Sequence, residues 1–393
     1  MCAVGNMMYK RFVYCLLFMI ITAGCSDSIP VSPPALSTGT PTATAATYLA
    51  NEQRTGVYTG TTAPKLNALL WSHAVAVSVS SPLIVSDNAV YFTTDGYLHE
   101  LDIRTGKELW ETNAATMTPV VAADTIYYSL DGILYALDSR TKQEKWKFQI
   151  GANIEASPLA TEDTIYVGSD DGYLYALYSQ TGQQRWRLQV GDKVANPPAS
   201  DGNTVYVVGS HLISPPSSDN LHYSDTLFAI DANLGQQKWG FKSKGSLQGP
   251  AIEGGTAYFV ESDVVDASDI LYALDGPTGK EIWQYAPPLG VVVPLTITSD
   301  VIYLGSRTVS VDAIDIKTRE TRWQFLAGSY IDATSVVDGT IYVSSGDRNI
   351  YVLDAQSGTQ KGKFETGSPV AYPPVIANGI AYFADLNYVF AVR

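Results

Sequence analysis

Six carboxylates recur at one place in a repeating pattern: Asp102, Asp138, Asp231, Asp275, Asp315 and Asp354 each stand just before a Thr-Gly or similar turn. Acids in such a series could act as general acids or metal ligands. Distributed one per repeat, however, they cannot converge on one reacting atom. A carboxylate in front of a turn instead accepts the turn's own backbone N–H groups. Eight residues after five of these acids comes a Trp, giving Asp102/Trp110, Asp138/Trp146, Asp231/Trp239, Asp275/Trp283 and Asp315/Trp323. Two copies are degenerate: Tyr178 replaces Asp before Trp186, and Gly362 replaces Trp after Asp354. With Trp71, all seven Trp of the chain fall on one repeat position. A Trp there could stack on a flat cofactor, but buried aromatics usually serve packing, so the seven read as structural.

The elements that carry these residues are short strands and turns. In the third unit, Thr164-Ile165-Tyr166-Val167-Gly168 is turned by Asp170-Asp171-Gly172 and returns as Tyr173-Leu174-Tyr175-Ala176-Leu177. Asp-Gly supplies the positive φ of a tight hairpin. The strands are near-continuous in Tyr, Val, Ile and Leu, as sheets covered on both faces require. Four strands per roughly 40 residues indicate propeller blades. Pro82, Pro119, Pro158, Pro198, Pro250, Pro294, Ser335 and Pro374 open eight such units. The eighth ends at Arg393 one strand short, and the missing strand stands at the other end, in Leu69-Leu70-Trp71-Ser72. A ring explains the split, because the N-terminal strand then completes the last sheet and removes both open edges. The expected fold is all-β: an eight-bladed β-propeller of four-stranded antiparallel blades over residues 66–393, its last blade closed by the N-terminal strand.

The Asp-x-x-Thr-Gly-Lys-x-x-Trp pattern, as in Asp102–Trp110 and Asp275–Trp283, resembles the pyrroloquinoline-quinone (PQQ) repeat. Gln53-Arg54-Thr55-Gly56 ahead of Trp71 is similar to the lead-in segment of many such proteins. Two branches share the repeat: PQQ-dependent dehydrogenases, and lipid-anchored non-enzymatic propellers that include outer-membrane protein assembly factor B. In length, leader, tether and blade number the chain is similar to the second branch. The first branch would imply PQQ and Ca²⁺ held by Glu, Asn and Asp oxygens, and in many members adjacent Cys. No residue-by-residue match to that cage is found, so neither cofactor nor any catalytic residue is carried over.

Composition supports this choice. The 393 residues carry 39 acidic and 25 basic side chains, a net charge of −14, which removes nucleic acid as a partner. Lys10 and Arg11, the apolar residues 12–21 and Thr22-Ala23-Gly24-Cys25 read as a secretory signal over residues 1–24. Cys25 after Ala-Gly resembles a lipobox cysteine, whose thiol becomes diacylated. Residues 25–65 are expected to be a flexible tether, since from 28 to 47 seventeen of twenty residues are Ser, Thr, Pro, Ala or Gly and none is charged. The localisation implied is the bacterial cell envelope: the outer membrane facing the periplasm in a two-membrane host, or the outer face of the cytoplasmic membrane in a one-membrane host. Expected partners are envelope or membrane proteins or unfolded clients, with the propeller itself monomeric.

Two groups of residues stand out as candidate sites. Unit four inserts a loop at residues 211–223, with His211, Pro215, Pro216, His222 and Tyr223. Unit five adds Glu261, Asp263, Asp266 and Asp269, so a joint partner-binding ridge is expected on one face. His211 and His222 alone are too few for a metal site, which needs three or four ligands. Glu155 and Asp332 share one repeat position in opposite blades; with Asn196, Gln248 and Tyr372 they are expected to rim one mouth of the axial channel.

Overall fold

The computed structural model describes residues 49–86, 88–114, 117–213, 223–262, 268–287, 290–306 and 308–393. Eight antiparallel sheets follow one another along the chain and form an eight-bladed propeller. Blade three shows the plan: an inner strand Leu159–Ala160, a fully buried strand Thr164–Gly168, a third strand Tyr173–Tyr178 buried except at its ends, and an outer strand Gln184–Gln189 that alternates outward and inward. Gly172 turns its middle hairpin at φ +81, and Asp171 Oδ1 accepts the Tyr173 N–H at 3.1 Å. Eight apolar clusters each span two neighbouring blades, so the core is a ring of interfaces rather than one centre.

Blade eight is assembled from both ends of the chain. Val375–Ala377, Ile380–Ala384 and Tyr388–Val392 are completed by Leu69–Ala74, in register Trp71↔Ala391 and His73↔Val389.

Five blades hook into the next through a Trp. Trp71 Nε1 donates to Ile103 O at 2.9 Å, Trp146 to Ser179 O at 2.9 Å, and Trp186 to Ala232 O at 3.0 Å. Trp239 donates to Gly276 O at 2.7 Å and Trp323 to Ala355 O at 3.1 Å. In every case the acceptor lies one residue after the repeat Asp position of the following blade. The glycine of that blade's last turn lies against the indole: a Cβ on Gly106, Gly182, Gly235, Gly279 or Gly358 would come within 2.6 Å of the ring. The repeat Asp holds the same turn. Asp102, Asp138, Asp231, Asp315 and Asp354 each take two backbone N–H groups of the turn on Oδ1, and Asp275 takes the Thr278 N–H. These bonds hold the carboxyls of Asp315 and Asp354 down at about 2, the Thr318 N–H being the largest contribution for Asp315 and Lys361 for Asp354.

Blade two departs from the rule, with Lys142 in place of the glycine. Its ammonium stands 5.4 Å from the Trp110 ring centre and pairs with the buried Glu100. Blade seven departs further, since Gly362 takes the Trp position. That interface is filled by the N-terminal segment: Leu66 is buried among residues of blades seven and eight, and Tyr342 Oη donates to Pro64 O at 2.6 Å.

The stretch 49–65, expected to belong to the flexible tether, is therefore built into the ring. Val57–Tyr58 even adds a fifth strand to blade seven, parallel to Ile331–Val337. Its backbone finds edge partners on the inner strands, a long-range pairing that Ser/Thr/Gly-rich composition does not announce.

Adding a side chain under a docked indole should be costly. Gly279→Val, with φ +68 and Trp239 Cδ2 at 2.5 Å from the new Cβ, is expected to lose about 3 kcal/mol in urea denaturation. Gly60→Ala, also at positive φ but with nothing within 4 Å, should lose about 1 kcal/mol. Equal losses would show that the indole contact is not what holds the interface.

Candidate functional site

The inner strands line the axis, and the N-terminal segment lies across them on the side of the first-to-second strand turns. Ser200 N of blade four donates to Glu52 O at 3.0 Å and Ile252 N of blade five to Gln53 O at 2.8 Å. Ile297 N of blade six donates to Thr55 O at 2.9 Å and Val336 N of blade seven to Gly56 O at 3.1 Å. The strap thus touches successive blades in turn and occupies that mouth of the channel. From it Arg54, only 2% exposed, reaches inward. Its Nε donates to Pro198 O at 2.7 Å and its Nη2 to Pro158 O at 3.0 Å. Carbonyls at the start of inner strands can receive a guanidinium because strands this short leave those oxygens outside the ladder. A cavity of about 180 Å³ remains beside it, lined by Leu49, Arg54, Asn196, Pro197, Gln248 and Leu295 among others.

The expected mouth residues lie around this axis but form no single cluster. Glu155 Oε2 is drawn 2.7 Å to Lys193 Nζ, which also stands 3.3 Å from Asp170 Oδ1. Asn196 Nδ2 ties blade four to Leu247 O of blade five at 3.2 Å. Gln248 borders the axial cavity, and the backbone oxygen of Tyr372 accepts Ser344 Oγ at 2.9 Å. Burial raises the Tyr372 phenol. Asp332 sits in the bulge of the blade-seven inner strand, between the pairs Ile331↔Ser345 and Ala333↔Ser344. Its Oδ2 is buried with no hydrogen-bond partner, and burial pushes the carboxyl up to about 6. A second cavity of about 350 Å³ opens between blades two and three, with Met117, Ser129, Asp131 and Glu155 in its wall.

The expected ridge is corrected in part. Glu261 is buried and its Oε1 accepts Ser243 Oγ at 2.5 Å, Lys244 N at 2.7 Å and Gly245 N at 3.1 Å. Asp269, also buried, accepts Val291 N at 2.5 Å. Both acids clamp backbone between strands and blades, so they are not free to meet a partner. His211 is half-exposed near the end of Thr204–Leu212, and Tyr223 opens Tyr223–Asp231. Cys25, Pro215, Pro216, His222, Asp263 and Asp266 lie outside the described residues.

Two features escaped sequence reasoning. For Arg54 the one signal in the sequence is its place in Gln53-Arg54-Thr55-Gly56, just ahead of the ring. Among the described residues the one group of three or more His, Cys and acidic ligands within reach of one another is His99, Glu108 and Glu111, on the outer part of blade one. Of the acids expected at the mouth, Glu155 and Asp332 belong to opposite blades, and five of the indoles are engaged between blades.

This architecture defines an eight-bladed propeller of PQQ-like repeats. The sequence profile of the outer membrane protein assembly factor BamB family matches residues 35–148, 130–264 and 224–334, and the chain belongs to that family. No curated protein matches. Among solved structures, BamB from Moraxella catarrhalis is similar with a TM-score of 0.61 at 18% identity, over 83% of this chain and 97% of that one. Quinohemoprotein alcohol dehydrogenase from Comamonas testosteroni is similar with a TM-score of 0.70 at 15% identity, over 88% and 80%. At such identities the likeness concerns the fold.

The isolated carboxylate of Asp332 gives a pH signature. Its raised value means that the stability it grants is full below about 4 and is lost as pH rises through about 6. Asp332→Asn should therefore be the more stable protein at pH 7.5, by on the order of 1 kcal/mol for a partly screened group, with the gain shrinking as pH falls below about 6 and vanishing below about 4. Thermal melts from pH 4.5 to 8 check this; a gain that is constant with pH would contradict it.

Proposed function

We propose that the chain is a non-catalytic scaffold of the bacterial cell envelope that binds other proteins during outer-membrane protein assembly, held to the membrane through a lipid on Cys25. The observation that carries the reading is an arc of exposed apolar side chains on the face of the second-to-third strand turns. Val309 (37% exposed), Leu326 (63%), Tyr330 (44%), Leu386 (46%), Tyr388 (43%) and Tyr97 (46%) follow one another over blades six, seven, eight and one. Apolar residues repeated over neighbouring blades of one face suit a protein partner better than solvent. Membership of the BamB family and the strap across the channel support the same reading.

The test is capture of partners from envelope extracts by the anchored protein. Tyr330→Asp combined with Tyr388→Asp should reduce recovery of its partners at least fivefold with an unchanged melt. Leu234→Asp, on the opposite face and 66% exposed, should not. Equal recovery by all three proteins would refute the assignment of this face. A quinone-dependent redox protein is the competing reading: PQQ with Ca²⁺ should give no saturable binding and no dye reduction, and the opposite result would replace the scaffold.

A further inference from the structure

The ring closes at the interface between blades eight and one, and that interface departs from the repeat in its chemistry. At four other interfaces the residue two after the outer-strand Trp position packs against an aromatic in the third strand of the next blade. Phe148 meets Tyr175 at 5.8 Å, Phe241 meets Tyr272 at 5.1 Å, Phe325 meets Tyr351 at 5.0 Å and Phe364 meets Phe390 at 6.0 Å between ring centres. The registers His99↔Glu111, Tyr175↔Arg187 and Tyr351↔Lys363 put His99 at the third-strand position. His73, two residues after Trp71, holds the other. Of four His in the chain, two therefore occupy the paired positions of the one interface made by the closing strand.

Two carboxylates converge on the same place. His99 Nδ1 stands 2.7 Å from Glu108 Oε1 and 3.8 Å from Glu111 Oε2. The bulge between the pairs Leu101↔Glu108 and Glu100↔Trp110 shifts the phase of the outer strand, which lets both glutamates reach one imidazole. Glu111 is the only acid at its repeat position, where Lys147, Arg187 and Lys363 stand in blades two, three and seven. No Lys or Arg forms an ion pair with either glutamate among the described residues. The ring is also oriented as a ligand would be: Nε2 is bonded to Thr94 Oγ1 at 2.8 Å, which leaves Nδ1 facing the carboxylates, and its face stacks on Phe92 at 4.9 Å.

We propose that His99, Glu108 and Glu111 of blade one, with His73 from the closing strand, bind one divalent transition cation of the zinc class across the seam of the ring. Imidazole nitrogen with carboxylate oxygen is a donor set for zinc rather than for calcium or magnesium, which take oxygen alone. The three blade-one donors already lie within 4.8 Å of one another, and His73 is the donor that the register offers next. A cation held from both sides would bind only the closed ring and so stabilise closure.

Calorimetry and thermal melts of the EDTA-stripped full chain with zinc chloride test this. The expected result is one zinc per chain and a rise in Tm, with calcium chloride giving neither. His99→Tyr and His73→Phe install side chains that the same positions carry in other blades, so both variants should fold; Glu111→Gln keeps the shape. Each should weaken zinc binding at least tenfold. Wild-type protein that binds no zinc, or affinity unchanged in His99→Tyr, would overturn the site, leaving only the contact of His99 Nδ1 with Glu108 Oε1. Unchanged affinity in His73→Phe would overturn the link across the seam.

Discussion

The molecule depends on one contact made again and again: an indole of one blade laid on the last turn of the next, its N–H on that turn's carbonyl. The contact is directional, because the Trp belongs to the outer strand and its acceptor to the following blade. Each blade therefore needs a successor, and the last must find the first. Trp71 makes this last contact on Ile103 O, and it can do so only because its strand has joined the sheet made by the C-terminus. The Asp before each turn has the supporting task of holding the turn in the shape that receives the indole. Thus the residues that most invite a catalytic reading are used up in building interfaces.

The N-terminal segment answers three separate needs of such a ring. It crosses the inner strands of blades four to seven and closes one mouth of the channel with Arg54. It then fills the interface that Gly362 leaves thin, where Lys65 O is the nearest atom, at 3.7 Å, to a Cβ built on that glycine. Finally it supplies the outer strand of blade eight. The channel is thereby occupied by the chain itself, while apolar side chains stand exposed on the opposite face.

The ring was legible in the sequence because its signals are local: Asp, turn and Trp within ten residues, and strands set by alternating turns. The split blade followed from counting, since Trp71 had no Asp before it and the eighth unit had no Trp after it. The strap was not legible. Its bonds run from backbone to backbone over more than a hundred residues, and composition alone made residues 49–65 look like the preceding tether. Arg54 was hidden for a related reason, since carbonyl oxygens that receive a guanidinium have no side-chain signature. Glu261 and Asp269 looked like loop acids because nothing in the sequence shows that backbone N–H groups of neighbouring connections will turn toward them. The pair His73 and His99 becomes visible only when the registers of different blades are compared.

Hydrogen exchange of the native protein, read residue by residue, tests the account of closure most directly. If the closing strand and the strap are integral to the ring, the amides of Trp71 and His73, and the amides of Ser200, Ile252 and Ile297 that bond the strap, should exchange only with global unfolding, as slowly as the middle strands of blade three. Faster exchange at these positions than in blade three would show a ring that stands without its N-terminal segment, and would contradict the account.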